Sequence, residues 1–120
     1  MSTPPTTLEL LLPDGSWFPV CDLAALTPGR GVAALLPGGA QAAVFLDGRG
    51  ATYAIDNRDP FTGARVLARG LLGSTGGSGG GPFVASPLLK QRFDLTTGVC
   101  LDDPSPDRAV TAYPTRRTTN

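Results

Sequence analysis

The chain has 120 residues, 41% of them apolar and 17% charged, with zero net charge, 16 glycines, 12 prolines and no histidine. This length sets one domain with a single core, and the scattered basic residues lack the cationic stripe of a nucleic-acid binder. The missing histidine removes the commonest general base, metal ligand and pH switch, which excludes a Ser-His-Asp hydrolase.

Glycine and proline at this density favour many short strands joined by turns, so the chain reads as mostly β. Residues 1–13, rich in Pro, Thr and Leu, read as a flexible N-terminal tail, with an edge strand over Leu8–Leu12 as the alternative. Residues 14–114 read as the folded domain. A first strand runs over Trp17–Cys21, then a single turn over Asp22–Leu26 ends at Pro28-Gly29. Gly31–Leu36 and Gln41–Leu46 are further strands, separated by the Pro37-Gly38-Gly39 turn. Asp47-Gly48 is a hairpin signal, because such turns need positive φ, and its partner strand is Ala51–Ile55. These last three strands predict an antiparallel meander.

Asp56–Gly70 reads as an ordered loop with room for one helical turn. The Gly/Ser-rich run over residues 73–81 predicts a flexible loop. It lacks the lysine and the spacing of a phosphate loop. Pro82–Ser86 is a strand, and Gln91–Leu95 with Val99–Leu101 forms a hairpin turning at Gly98. Ala109–Tyr113 is the last strand, and residues 115–120 are a polar C-terminal tail. No apolar run is long enough to span a bilayer, and no basic region followed by an apolar one marks a signal peptide. Cys21 and Cys100 then read as reduced, buried structural thiols of a cytoplasmic protein.

Two segments carry a resemblance. The first is Asp56-Asn57-Arg58-Asp59-Pro60-Phe61-Thr62-Gly63-Ala64. The second is Ser86-Pro87-Leu88-Leu89-Lys90-Gln91-Arg92-Phe93-Asp94, followed by the Gly98 turn. They resemble the two loops of Rieske domains, which grip a [2Fe-2S] cluster through two Cys and two His. The second Rieske loop typically reads Cys-Pro-x-His-Gly-x-x-Phe-Asp. On that alignment Asp59 and Ser86 replace the cysteines, and Phe61 and Leu89 replace the histidines. Phe and Leu have no lone pair to give, and cluster iron wants soft thiolate rather than Asp or Ser oxygen. This ligand-free version is similar to the small subunit of NADH-dependent assimilatory nitrite reductase, over roughly Trp17 to Pro114. The Gly/Ser run over 73–81 is longer than that family shows.

The resemblance implies a Rieske-like antiparallel β-sandwich or barrel, with a small two-loop subdomain over residues 56–101 in which the cluster-binding site is degenerate. It implies no catalytic, cofactor-binding or metal-ligating residue in this chain. FAD, sirohaem and an iron–sulfur cluster are expected on a large catalytic subunit that reduces nitrite to ammonium, with this chain as its non-redox accessory and neither nucleic acid nor membrane as a partner. The alternatives are a Rieske-type electron-transfer ferredoxin and a free-standing interaction module of another oxidoreductase. At the degenerate site Asp59 is expected to accept a hydrogen bond from the Ser86 hydroxyl or from backbone N–H groups of the facing loop. Phe61 and Leu89 are expected to fill the volume of the lost cluster. Pro60, Phe61, Leu88, Leu89 and Lys90 are expected to form an apolar docking tip; the other reading makes Phe61 and Leu89 inward core residues.

Overall fold

A computed structural model describes residues 5–75 and 81–119. Among them are ten strands: β1 (Thr6–Leu11), β2 (Trp17–Asp22), β3 (Gly31–Leu35), β4 (Gln41–Leu46), β5 (Thr52–Asp56), β6 (Leu71–Ser74), β7 (Pro82–Ala85), β8 (Arg92–Asp94), β9 (Ala112–Tyr113) and β10 (Thr115–Thr119). They form three sheets in the orders β10-β1-β2, β3-β4-β5-β9 and β6-β7-β8, and every pairing between strands is antiparallel.

The central sheet explains why β4 lacks polar alternation. Successive strand side chains point to opposite faces, and both faces of this sheet are covered. Ala42, Val44 and Ala54 pack with Leu8, Leu10, Leu26, Leu36 and Tyr113 on one side. Ala43, Phe45 and Ile55 pack with Leu67, Val84, Phe93, Leu95 and Cys100 on the other. The first core joins the central sheet to β1 and β2; the second joins it to the two-loop subdomain.

Within the described residues both expected tails hold a strand. β1 is the middle strand of its sheet, and Leu8 and Leu10 are fully buried under it. β10 pairs with β1 from Thr6↔Thr119 to Leu10↔Thr115. Its polar side chains suit an edge strand with one solvated face. Arg116 donates to Glu9 at 2.7 Å, and its guanidinium lies 4.3 Å above the Trp17 ring.

The Asp47-Gly48 hairpin forms, but the left-handed residue is Gly50, at φ 89°. Asp47 Oδ1 instead accepts the N–H groups of Arg49 and Ala51, both at 2.9 Å, a turn followed by a left-handed glycine. Gly73 and Ser74, expected within the flexible run, pair with Phe83 and Pro82 as the end of β6. Across the base of the run the Thr75 N–H donates to the Gly81 carbonyl at 3.0 Å. The expected flexibility of residues 76–80 lies outside the described residues.

The last strand before Pro114 is also shorter than expected. Pro106–Arg108 makes a 3-10 turn, and the Val110 N–H donates to the Gly98 carbonyl at 2.9 Å rather than to a strand. Gly98 has φ 80°, and the Val110 carbonyl occupies the place of a Cβ. No other residue type fits there without displacing backbone.

Candidate functional site at the two facing loops

The first loop leaves β5 at Asp56 and is rooted by Asn57. This buried residue receives the Ala68 N–H on Oδ1 at 2.7 Å and donates Nδ2 to Gln41 Oε1 at 3.2 Å. Its N–H donates to the Gln41 carbonyl at 2.8 Å, and its carbonyl accepts the Leu67 N–H at 3.1 Å. One amide therefore ties both ends of the loop to the central sheet. A buried amide is retained only where its polar atoms are satisfied.

Asp59 closes the loop upon itself. Its N–H donates to the Ala64 carbonyl at 2.8 Å, its carbonyl accepts the Gly63 N–H at 2.7 Å, and Oδ1 accepts the Phe61 N–H at 2.8 Å. The second loop is a tight turn between β7 and β8. The Ser86 N–H donates to the Gln91 carbonyl at 2.9 Å and the Lys90 N–H to the Ser86 carbonyl at 3.1 Å. Lys90 takes φ 64° to close it and is the sole non-glycine at positive φ among the described residues.

One side-chain hydrogen bond joins the loops: Ser86 Oγ donates to Asp59 Oδ2 at 2.6 Å. Both residues are buried, and the Leu88 N–H donates back to Ser86 Oγ at 3.3 Å. The two carboxylate oxygens and the hydroxyl are thus all occupied within the protein. This network is closed: the carboxylate that accepts from Ser86 also accepts the Phe61 N–H, and no histidine is present to complete a Ser-His-Asp relay.

The site does not fit a [2Fe-2S] cluster. Its facing donors are a carboxylate and a hydroxyl spent on each other, and the other two positions are hydrocarbon. Cys100 belongs to the core beside Phe93, and Cys21 lies on β2 at the other core, where burial pushes its thiol up. Among the described residues no three His, Cys, Asp or Glu side chains converge as a metal site would require.

The hydrocarbon positions behave differently from each other. Phe61 is half-buried and packs on Phe93 with ring centroids 6.4 Å apart. Leu89 does not fill the site: it is 55% exposed, and Leu88 is 49% exposed. The bond from Lys90 N–H to the Ser86 carbonyl closes the turn at its neck, so residues 87–90 stand outside it, all exposed. Pro60 is half-buried beside Phe61.

Arg108, absent from the expected set, covers this pair. Its guanidinium lies 4.6 Å over the Phe61 ring, and Nη1 donates to the Pro60 carbonyl at 3.2 Å. Nothing local marks Arg108, because it reaches loop one from a segment 48 residues away. Behind the loop lies a cleft of about 500 Å³ lined by Asp56, Arg58, Phe61, Thr62, Gly63 and Thr111.

Residues 16–120 match the Rieske-like [2Fe-2S] domain family. The nitrite reductase (NADH) small subunit of Salmonella typhimurium is 44% identical over 87 residues, which cover 72% of this chain and 78% of that one. A stretch of the nitrite reductase [NAD(P)H] large subunit of Klebsiella oxytoca is 43% identical over 108 residues, 90% of this chain and 11% of that protein. A crystal structure from Mycobacterium tuberculosis, described as an NADH-dependent nitrite reductase small subunit, superposes with a TM-score of 0.75 at 39% identity, covering 88% of this chain and 96% of its own. The ligand-free loops and these relatives agree: the chain belongs to the Rieske-like domain family and, within it, to the small subunits of NADH-dependent nitrite reductase.

Proposed function

We propose that this chain is a non-redox accessory subunit that docks onto the large catalytic subunit of a nitrite reductase and assists its reduction of nitrite to ammonium. The observation that carries this reading is the 2.6 Å bond from Ser86 to Asp59. It joins the two loops where a Rieske domain would use iron, so the loops keep their relative position without a redox centre. FAD, sirohaem and the iron–sulfur cluster then reside on the partner, and the complex works in the cytoplasm. The relatives named small subunit, and the large subunit that carries a matching stretch, support a partnership of this kind. Among the described residues no helix is long and apolar enough to cross a membrane.

In this reading the tip formed by Pro60, Phe61, Leu88, Leu89 and Lys90 is the docking surface. Its support is the pair of exposed leucines on the second loop and the half-buried aromatic on the first, two loops that the Ser86–Asp59 bond joins, since apolar and aromatic groups dominate binding surfaces. The test is to co-express a large subunit with and without this chain and follow NADH-dependent nitrite reduction. We expect the small chain to co-purify, to raise activity and to be colourless when isolated. Stoichiometric iron and acid-labile sulfide in the isolated chain, or failure to associate, would overturn the reading.

A further inference from the structure

We infer that the domain docks end-on, one copy per large subunit, with the start of β1 and the end of β10 remote from the interface, Leu88 and Leu89 inserted into an apolar hollow, and Lys90 meeting a carboxylate at its rim. This rests on the accessory-subunit reading and adds to it an orientation, a stoichiometry and the chemistry of the acceptor.

The orientation follows from strand direction. β5 runs from Thr52 to Asp56 and delivers the chain into the first loop. β9 runs back along it, with Ile55 opposite Ala112 and Ala54 opposite Tyr113. The return continues past Thr115, whose hydroxyl is 2.8 Å from that of Thr52, to Arg117, which donates to the Gly50 carbonyl. At the end of this path Thr119 pairs with Thr6. The start of β1 and the end of β10 therefore lie together, on the side of the domain opposite the loops. At the usual strand rise, β5 and β10 each contribute about 14 Å to that separation.

A domain whose ends emerge side by side, away from its working surface, can be joined to a longer chain without blocking that surface. The Klebsiella large subunit carries such a stretch within a single polypeptide, and a domain in the same chain is necessarily present once per catalytic unit. The same geometry lets the separate chain occupy the same seat in the same ratio.

The acceptor's chemistry follows from the tip. Over residues 57–65 and 86–91 the cations are Arg58, Arg65 and Lys90, and the sole acid is Asp59. Asp59 is buried and bonded to Ser86, and among the described residues none of the three cations forms an ion pair. Arg58 and Arg65 pair across the first loop, with Asp56 beside Arg58 in the cleft, whereas Lys90 directly follows the two exposed leucines and is itself exposed with no ion pair. Lys90 also holds φ 64°, which no other non-glycine among the described residues does. A charged residue held in a rarely populated conformation at an exposed tip points to use of its side chain.

The experiment measures affinity between the purified small chain and its large subunit, with three alterations. Lys90→Glu should weaken binding about tenfold or more, and the loss should shrink as salt is raised. Thr119→Glu, at the remote end, should stay within about twofold of the parent. A single-chain fusion from the C-terminus of this protein through a 20-residue Gly/Ser linker, which spans about 25 Å, should retain full activity with one domain per large subunit. Circular dichroism confirms that each variant is folded. Unchanged affinity of Lys90→Glu, an inactive fusion, or a stoichiometry other than one-to-one overturns the inference while leaving the accessory role standing. Absence of binding by the unaltered chain removes both.

Discussion

Ser86→Ala tests the inter-loop bond directly. The hydroxyl donates to a buried carboxylate, and a hydrogen bond to a charged group contributes about 1.5–3 kcal/mol. Alanine adds no bulk, so the loss arises from the unpaired Asp59 Oδ2 and from the Leu88 N–H, which loses its acceptor. A domain of this size holds roughly 5–15 kcal/mol in total, so the variant still folds. Its melting temperature should fall by about 5–15 °C, taking roughly 3–5 °C per kcal/mol for a chain of this length. Asp59→Ala should cost more, because it also strips the acceptor from the Phe61 N–H. The double variant should fall short of the sum by about 1–2 kcal/mol, the signature of two residues acting through one contact. Urea and thermal unfolding of the four proteins measure all of this. A Ser86→Ala melt within about 2 °C of the parent, or strict additivity in the cycle, would show that the two loops are not joined through this pair.

Gly98→Ala should be destabilised by at least about 2 kcal/mol, since a Cβ is disfavoured at φ 80° and meets the Val110 carbonyl; soluble yield and urea midpoints report it. Arg108→Ala removes both the hydrogen bond to Pro60 and the cover over Phe61, and should lower stability by about 1–2 kcal/mol while weakening association with the large subunit. Asp102 sits in a forked pair with Arg92, at 2.9 and 3.3 Å, and the Arg92 side chain holds its carboxyl below the usual range. A carboxyl depressed in the folded state adds stability at pH above its unfolded value near 3.8, and that stability is lost as pH falls through the lower folded value. Asp102→Asn should therefore match the parent at the acid extreme and fall below it towards neutrality, by a small amount because the pair is solvent-exposed. Paired urea titrations across this range show whether the two curves converge.

Local chemistry by itself determined much of this protein. The apolar run Gln41–Leu46, the Asp-Gly turn after it and the Thr52–Asp56 partner could hardly be anything but strands of a buried sheet. The makeup of the two loops was equally legible, because Asp59, Phe61, Ser86 and Leu89 stand where the resembling loops carry thiolate and imidazole. What the local pattern could not decide was pairing across long separations. β10 is polar throughout and became a strand because β1, more than 100 residues earlier, offers its backbone edge. Leu8 and Leu10 lie in a Pro- and Thr-rich stretch and are core only because that same pairing carries them across the central sheet. Leu89 faces solvent because the hydrogen bond at the neck of its turn excludes it, while Phe61 is held by an arginine from a distant segment. Each of these depends on groups that meet only after the chain has closed, and the spacing of residues along a sequence holds no record of which distant backbone or side chain arrives opposite them.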